Sequence, residues 1–231
     1  MSRMTAAVVM VLGLAAVAPG SAAASSLDLR VGALFPSADS NLFDDDAELY
    51  VLRGDTISDR DWRGIYGGIE FNVGLSDNVE LGFHVDGYGR SLHTSYRDFE
   101  RPSGREIQQT LKLNVVPVGV SLRLVAGDPR ESIAPYVAVG ADLVYYQYEE
   151  FGDFIDFDSP SLPVFDDAFV SEGVAPGFHV AAGLRVPLSR DFSLVGEGRY
   201  LFAKHDMGDD FRGNRIDLGG ISATLGLHVR F

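Results

Sequence analysis

Charged side chains recur at every second position along several stretches of this chain, between apolar neighbours. In an extended strand such side chains share one face, because successive residues point to opposite sides. Asp28 and Arg30 are the first two residues of this charged face. Acids and bases on it are nearly balanced, and a confined charge without a partner is strongly destabilising. We therefore predict an internal ion-pair network, made up of Glu70, Glu80, Asp86, Arg90, Lys112, Asp142, Arg185, Glu197, Arg199 and Arg230.

Glu197 and Arg199 are two residues apart on one predicted strand face. This spacing is poorly suited to a direct pair, so each is expected to pair with a neighbouring strand. A filled interior of this kind favours a closed barrel over an open pore, since eight strands leave room only for side chains. A narrow conducting path is the alternative.

The five histidines are the candidates for nucleophilic catalysis. A hydrolase of the Ser-His-acid type needs a serine and an acid around one of them. His93 has Ser91 and Ser95 nearby and His205 precedes an aspartate, but no spacing marks a nucleophile. We predict no catalytic residue, no cofactor and no metal ligand, and keep a lipid-modifying enzyme as the weakest alternative.

Two acidic segments, 37–61 and 149–176, separate predicted strands and are expected to be long loops. Asp153, Asp156 and Asp158 offer oxygen atoms of the type that Ca²⁺ and Mg²⁺ prefer. They lack the glycine and the terminal glutamate of a dedicated calcium loop. A solvated negative surface is the favoured interpretation, and an extracellular ligand or a divalent cation is the alternative partner.

Alternation of apolar and polar residues predicts eight strands. The last one runs to the terminal Phe231 and is expected to pair with the first and the seventh. The connections are alternately long and short, which is typical of barrels with turns on one side and loops on the other. The predicted strands cover residues 27–35, 63–75, 79–93, 107–124, 134–148, 177–188, 192–203 and 221–231.

The fourth predicted strand changes phase in the middle. Its apolar positions shift by one residue at Val116-Pro117, which we interpret as a β-bulge, since proline cannot donate to a strand ladder. Apolar side chains are expected outside at Leu111, Leu113, Val115, Val118, Val120 and Leu122. Aromatic residues near the strand ends are expected to form two interfacial girdles, with Phe231, Phe192 and Tyr136 on the turn side and Phe35, Trp62, Tyr145, Tyr148 and Phe202 on the loop side.

Composition places these strands in a membrane. The chain has no cysteine, 26 glycines, a hydrophobic fraction of 46% and a formal net charge of −14, which disfavours nucleic acid as a partner. We predict an all-β fold, an eight-stranded antiparallel transmembrane β-barrel, present as a monomer in outer-membrane lipid. A soluble lipocalin-like barrel, with its apolar face inside, is the alternative.

The first 24 residues have the pattern of a secretory signal peptide. Arg3 precedes a short apolar stretch, and the small residues of segment 21–24 follow it. We predict cleavage there, with residues 25–231 forming the barrel domain, while an uncleaved anchor is the alternative. Export through this signal leads to the cell outer membrane.

Segments 135–141 and 177–202 resemble the small outer-membrane β-barrel family that includes OmpA, OmpX and OmpW. The closing residues Thr224, Gly226, Val229 and Phe231 resemble the assembly signal of such barrels. The resemblance implies the barrel-assembly machinery as a partner, and the OmpW likeness implies a narrow passive channel for small or apolar solutes. Beside that alternative, we favour a structural or surface-interaction role through the acidic extracellular loops.

Overall fold

The computed structural model describes residues 25–127, 132–211 and 213–231. The predicted signal peptide, residues 1–24, lies outside the described residues. Within the described ranges, no helix is both long enough and apolar enough to cross a bilayer.

Eight long strands close into one antiparallel ring, which confirms the predicted fold. In chain order the elements are β1 (Ser25–Pro36), α1 (Asn41–Leu49), β2 (Tyr50–Leu52), β3 (Asp55–Thr56), β4 (Gly64–Ser76), β5 (Val79–Glu100), β6 (Glu106–Val125), β7 (Ala134–Ile155), β8 (Val164–Pro187), β9 (Phe192–Asp206), a short 3-10 turn (Asp209–Phe211), β10 (Arg215–Asp217) and β11 (Gly220–Arg230). The ring order is β1–β4–β5–β6–β7–β8–β9–β11 and back to β1.

The seam of the barrel joins its first and last strands. Pairing of β1 with β11 runs from Ser26 opposite Arg230 to Pro36 opposite Gly220. The Phe231 amide adds a hydrogen bond of 3.0 Å to the Ser25 carbonyl oxygen. β11 also pairs with β9, as predicted. Closure leaves no unpaired strand edge within the lipid.

The second acidic segment, 149–176, is largely a β-hairpin and not the expected loop. β7 and β8 stay paired as far as Ile155 opposite Val164. Phenylalanine rings stabilise the hairpin, with Phe154 at 4.8 Å from Phe169 between ring centroids. The first acidic segment, 37–61, contains α1, β2 and β3.

The predicted β-bulge at Val116-Pro117 is absent from β6. Its pairing with β7 is continuous, with Val116 opposite Tyr145 and Pro117 opposite Val144. What changes at Pro117 is the chemistry of the two faces. On the loop side, Leu111, Leu113 and Val115 are buried inside, whereas they were predicted outside. On the turn side, the exposed outer residues are Val120, Leu122 and Leu124.

We call the turn-side part of the interior the lower lumen and the loop-side part the upper lumen. The same change occurs on β7, where the inward residues pass from Asp142 to Val144 and Tyr146. The outward residues of β7 become polar at Gln147 and Glu149. The apolar outer band therefore ends near this level, and the upper lumen lies above the lipid.

The upper lumen is closed by α1 and by Trp62. The Trp62 ring is buried, with its centroid 5.4 Å from that of Phe43 and 6.3 Å from that of Tyr148. Trp62, Tyr148 and Tyr136 thus lie inside the barrel and not in the predicted girdles. Phe178 and Phe202 do stack on the outer surface, with 4.4 Å between centroids.

Candidate functional site

The lower lumen contains a compact ion-pair network of four guanidiniums and five carboxylates. Each comes from an inward position of a barrel strand, because the two-residue period alternates charged inner and apolar outer side chains. Its members are Asp28 and Arg30 on β1, Glu70 on β4, Glu80 and Asp86 on β5, Arg123 on β6, Arg185 on β8, and Glu197 and Arg199 on β9.

Two arginines share three acids at the centre of this network. Arg30 lies 2.7 Å from Glu197, 2.8 Å from Glu70 and 3.2 Å from Asp86, measured between nitrogen and oxygen. Arg199 lies 3.0 Å from Asp86 and 3.1 Å from Glu70. Arg199 also contacts Glu197, two residues away on the same strand, at 3.0 Å. The two residues therefore form a direct pair in addition to their pairs across strands. Sharing satisfies several donors at once, which offsets the desolvation of buried charges.

Arg123 is the member that sequence analysis missed. Its side chain is fully buried and donates to Asp28 at 3.0 Å and to Glu70 at 2.9 Å. The guanidinium also lies 4.4 Å from the centroid of the Tyr136 ring, a cation–π geometry. Its position between Leu122 and Leu124, which both point outward, is the sequence signal that indicates an inward side chain.

Small residues on the inner wall make room for the network. A Cβ on Gly68 would lie 2.3 Å from an Asp86 carboxylate oxygen, and one on Gly82 would lie 2.3 Å from a Glu70 oxygen. Separately, Arg185 binds Glu80 in a bidentate manner, at 2.7 Å and 2.8 Å. Charged groups therefore fill the lower lumen with little free space.

Four predicted members lie apart from this network. Lys112 points to the outer face and pairs with Glu149 at 3.0 Å, because it lies above the level where the faces exchange polarity. Arg90 is near the mouth and donates to the Asp61 carbonyl oxygen at 2.7 Å. At the opposite end, Arg230 donates to the Arg190 carbonyl oxygen at 3.3 Å. Asp142 contacts two histidines instead of an arginine.

Two buried acids meet where α1 contacts β7, Asp46 on the helix and Glu150 on the strand. The Tyr148 hydroxyl donates to Asp46 at 2.8 Å and to Glu150 at 3.1 Å, and the Tyr50 hydroxyl donates to Glu150 at 3.3 Å. Burial raises the pKa of Glu150 to about 7. Burial and the nearby Glu150 also raise the pKa of Asp46. These groups connect the helix that closes the mouth to the strand beneath it.

The two loop-side histidines have partners other than serine. His93 is within 3.0 Å of the Thr110 hydroxyl, and His205 is within 3.1 Å of the Tyr146 hydroxyl. Among the described residues, Asp153, Asp156 and Asp158 are not grouped closely enough to hold a metal ion. Asp153 contacts Arg101 at 2.6 Å, and Asp156 accepts a hydrogen bond from Ser159 at 2.7 Å.

The four residues of the predicted assembly signal lie on β11 and at the terminus. The Thr224 hydroxyl is directed inward, at 3.5 Å from the Glu197 carbonyl oxygen. A Cβ on Gly226 would meet the Leu29 carbonyl oxygen at 2.1 Å, so this position packs closely against β1. Val229 lies on the outer face, where the Phe231 ring is 6.3 Å from that of Phe71 between centroids.

A solved structure with a TM-score above 0.5 supports the barrel fold, and two further structures are reported as similar to this chain. The outer membrane protein OprG from Pseudomonas aeruginosa has a TM-score of 0.53 at 12% identity, covering 91% of this chain and 96% of that one. Neisserial surface protein A has a TM-score of 0.49 at 16% identity, covering 92% and 99%. Outer membrane protein W from E. coli has a TM-score of 0.40 at 13% identity, covering 91% and 99%.

A search of curated protein sequences gives no match. The family model for the outer membrane protein beta-barrel domain matches residues 4–231. That span includes every strand of the ring and the network within it. The chain therefore belongs to the outer-membrane β-barrel family.

Proposed function

We propose that this protein is a non-enzymatic, closed barrel that presents an extended sheet on the cell surface as a docking site for other molecules. In this proposal a cleaved signal peptide directs export, and the barrel-assembly machinery inserts the monomer into outer-membrane lipid. The height of the sheet above the lipid supports this proposal. β7 and β8 stay paired for about ten residues beyond the last lipid-facing row, at roughly 3.3 Å of rise per residue.

The outer edge of this sheet supports binding by strand addition. β8 pairs with β9 only over residues 177–187, and in the described part of the chain its residues 164–176 pair with β7 alone. A row of free backbone groups on an edge strand can accept an extended segment from a partner. Segment 149–176 contains several acids and no lysine or arginine. The chemistry thus favours a basic, extended partner.

This surface can be tested by shortening the hairpin. Replacing residues 152–167 by Asn-Gly joins Phe151 to Ala168, which are cross-strand neighbours, through a two-residue turn. The probe is a synthetic peptide of alternating lysine and valine. We expect salt-sensitive binding to the full barrel and a loss of at least roughly tenfold in the shortened one. Equal binding by two folded barrels would contradict the proposal.

A narrow channel for small or apolar solutes is the second candidate. The upper lumen favours it, because its wall is apolar at Leu111, Leu113 and Val144. The ion-pair network and α1 oppose it by filling the path at both levels. Planar-bilayer recording separates the two candidates. We expect no steady ion current from the wild type, and steady conductance that is unchanged when Glu197 and Arg199 are neutralised would refute a closed lumen.

A further inference from the structure

A second cluster of ionisable side chains lies in the barrel wall beside the ion-pair network. His84 Nε2 is 2.8 Å from one carboxylate oxygen of Asp142, and His179 Nδ1 is 2.7 Å from the other. All three residues are buried. One donor atom from each lies within 4.8 Å of the other two. The three come from β5, β7 and β8, and β6 lies between the first two, so the pairing of four consecutive ring strands brings them together.

We propose that His84, Asp142 and His179 bind a divalent transition-metal cation. Two imidazoles and one carboxylate form a donor set that suits zinc, nickel, copper or iron, whereas magnesium and calcium prefer oxygen donors alone. In a tetrahedral site with bonds of about 2.0–2.2 Å the donor atoms lie roughly 3.3–3.6 Å apart, so each nitrogen–oxygen contact would lengthen from its present 2.7–2.8 Å as the cation enters between the donors.

The strand register holds the three donors together. Gly119 on β6 lies opposite both His84 and Asp142, and Gly140 lies opposite His179. A Cβ on Gly140 would come within 2.3 Å of the His179 ring, and one on Gly119 would come within 2.6 Å of the Asp142 carboxylate. The two glycines leave the space that the rings and the carboxylate occupy.

Charge balance supports a dication at this position. Together with Asp142, the lower lumen holds six carboxylates against four guanidiniums, which leaves two negative charges when every histidine is neutral. A dication compensates both.

The outer nitrogens, His84 Nδ1 and His179 Nε2, have no hydrogen-bond partner among the described residues. Each ring can therefore carry its proton there and direct its lone pair at the cation. Partners at such nitrogens normally strengthen metal binding by roughly 10–100-fold. We therefore expect modest affinity, with capture of the cation as the barrel closes around it.

The test is refolding of untagged protein into detergent with ZnCl₂, followed by gel filtration in metal-free buffer without chelator and by metal analysis. We expect about one zinc per folded barrel. H179Q and G140A should lose it, whereas H228Q, a buried lumenal histidine outside the cluster, should retain it. Refolding with CoCl₂ should give visible d–d absorption bands that require both histidines.

Heat-modifiable gel migration checks folding of every variant. Zinc at about a hundredfold excess over its Kd should raise the unfolding temperature of the wild type by about 5 °C and leave H179Q unchanged. If a variant fails to fold, zinc retention and cobalt absorption of the wild type still test the site. Absence of retained zinc and of cobalt bands in the folded wild type, or equal retention by H179Q, would overturn the site.

Discussion

The lower and upper halves of the lumen are built by the same strands but have opposite chemistry. Below the level of Pro117 the inner face carries buried charges such as Arg123, and the outer face is apolar. Above it the inner face is apolar, as at Leu113, and the outer face carries Lys112 and Glu149. The lower half thus has a charged interior and an apolar exterior, whereas the upper half has the apolar interior and polar exterior of a water-soluble protein.

This difference shows that the solvent outside the wall determines the chemistry inside it. In lipid the outer face must be apolar, so the polar residues of an alternating strand are directed inward and must pair. In water the outer face is polar, so the apolar residues form a packed core inside. The strand need not slip to make this change, since the pairing of β6 with β7 remains continuous.

The largest expected effect is removal of one charge from the lower half. Arg123→Met removes the nearest guanidinium from Asp28 and one of the three guanidiniums around Glu70, and we expect a loss of about 3–5 kcal/mol in the free energy of unfolding. Urea titration with heat-modifiable gel migration measures it. Arg215→Met is the control, because its pair with Asp206 is exposed. Similar losses in both variants would remove the distinction between buried and surface pairs.

A cavity in the upper half should cost slightly less. Leu113→Ala removes a side chain that is 2% exposed, and we expect a loss of about 2–4 kcal/mol. Gln108→Ala, at an exposed outward position of the same strand, should change stability by less than about 0.5 kcal/mol. If Leu113→Ala were also neutral, the upper lumen could not be a packed core.

The mouth of the upper half should respond to pH. Burial raises the pKa of Glu150 from 4.5 to about 7, so the closed mouth favours the neutral acid. The stabilisation is complete below pH 4.5 and is lost as pH rises through about 7. Trp62 is the one tryptophan and packs on α1 through Phe43, so its fluorescence should report loosening above pH 7.

Glu150→Gln should remove most of this response. The amide stays neutral at every pH and can keep hydrogen bonds from Tyr50 and Tyr148, while Asp46 is left as the remaining acid. Glu149→Gln, on the outer face, should leave the fluorescence profile as in the wild type. A profile that Glu150→Gln does not alter would contradict the assignment of the titrating group.

The smallest expected effect concerns Lys112, one of the residues whose predicted location was wrong. Lys112→Leu removes a partly exposed pair with Glu149 on the outer face, and we expect a change within about 0.5 kcal/mol. The measurement is the same urea titration. A loss as large as that of Arg123→Met would place Lys112 in the lumen, as the alternation of β6 had indicated.

Much of the fold could be predicted from the sequence, because alternation has a strict period of two. It gave the number of strands, their antiparallel ring and the seam at β11. The inward positions of Glu70, Asp86, Glu197 and Arg199 follow from the same period. Where the surroundings of the barrel change from lipid to water, the alternation persists, but the apolar residues face inward and the polar residues face outward. Lys112 and Leu113 lie above this level, and for that reason both were predicted on the wrong face.

Sequence alone determined which residues share a strand face in this protein, because that depends on local backbone geometry. Only the tertiary structure decided which residues meet across the lumen, since those contacts depend on strand register and closure. Arg123 reaches Asp28, 95 residues away, and Asp142 reaches His179 on the adjacent β8 and His84 on β5, beyond β6. Which face is wet was also a tertiary property, because it depends on where each row of the barrel lies relative to the membrane.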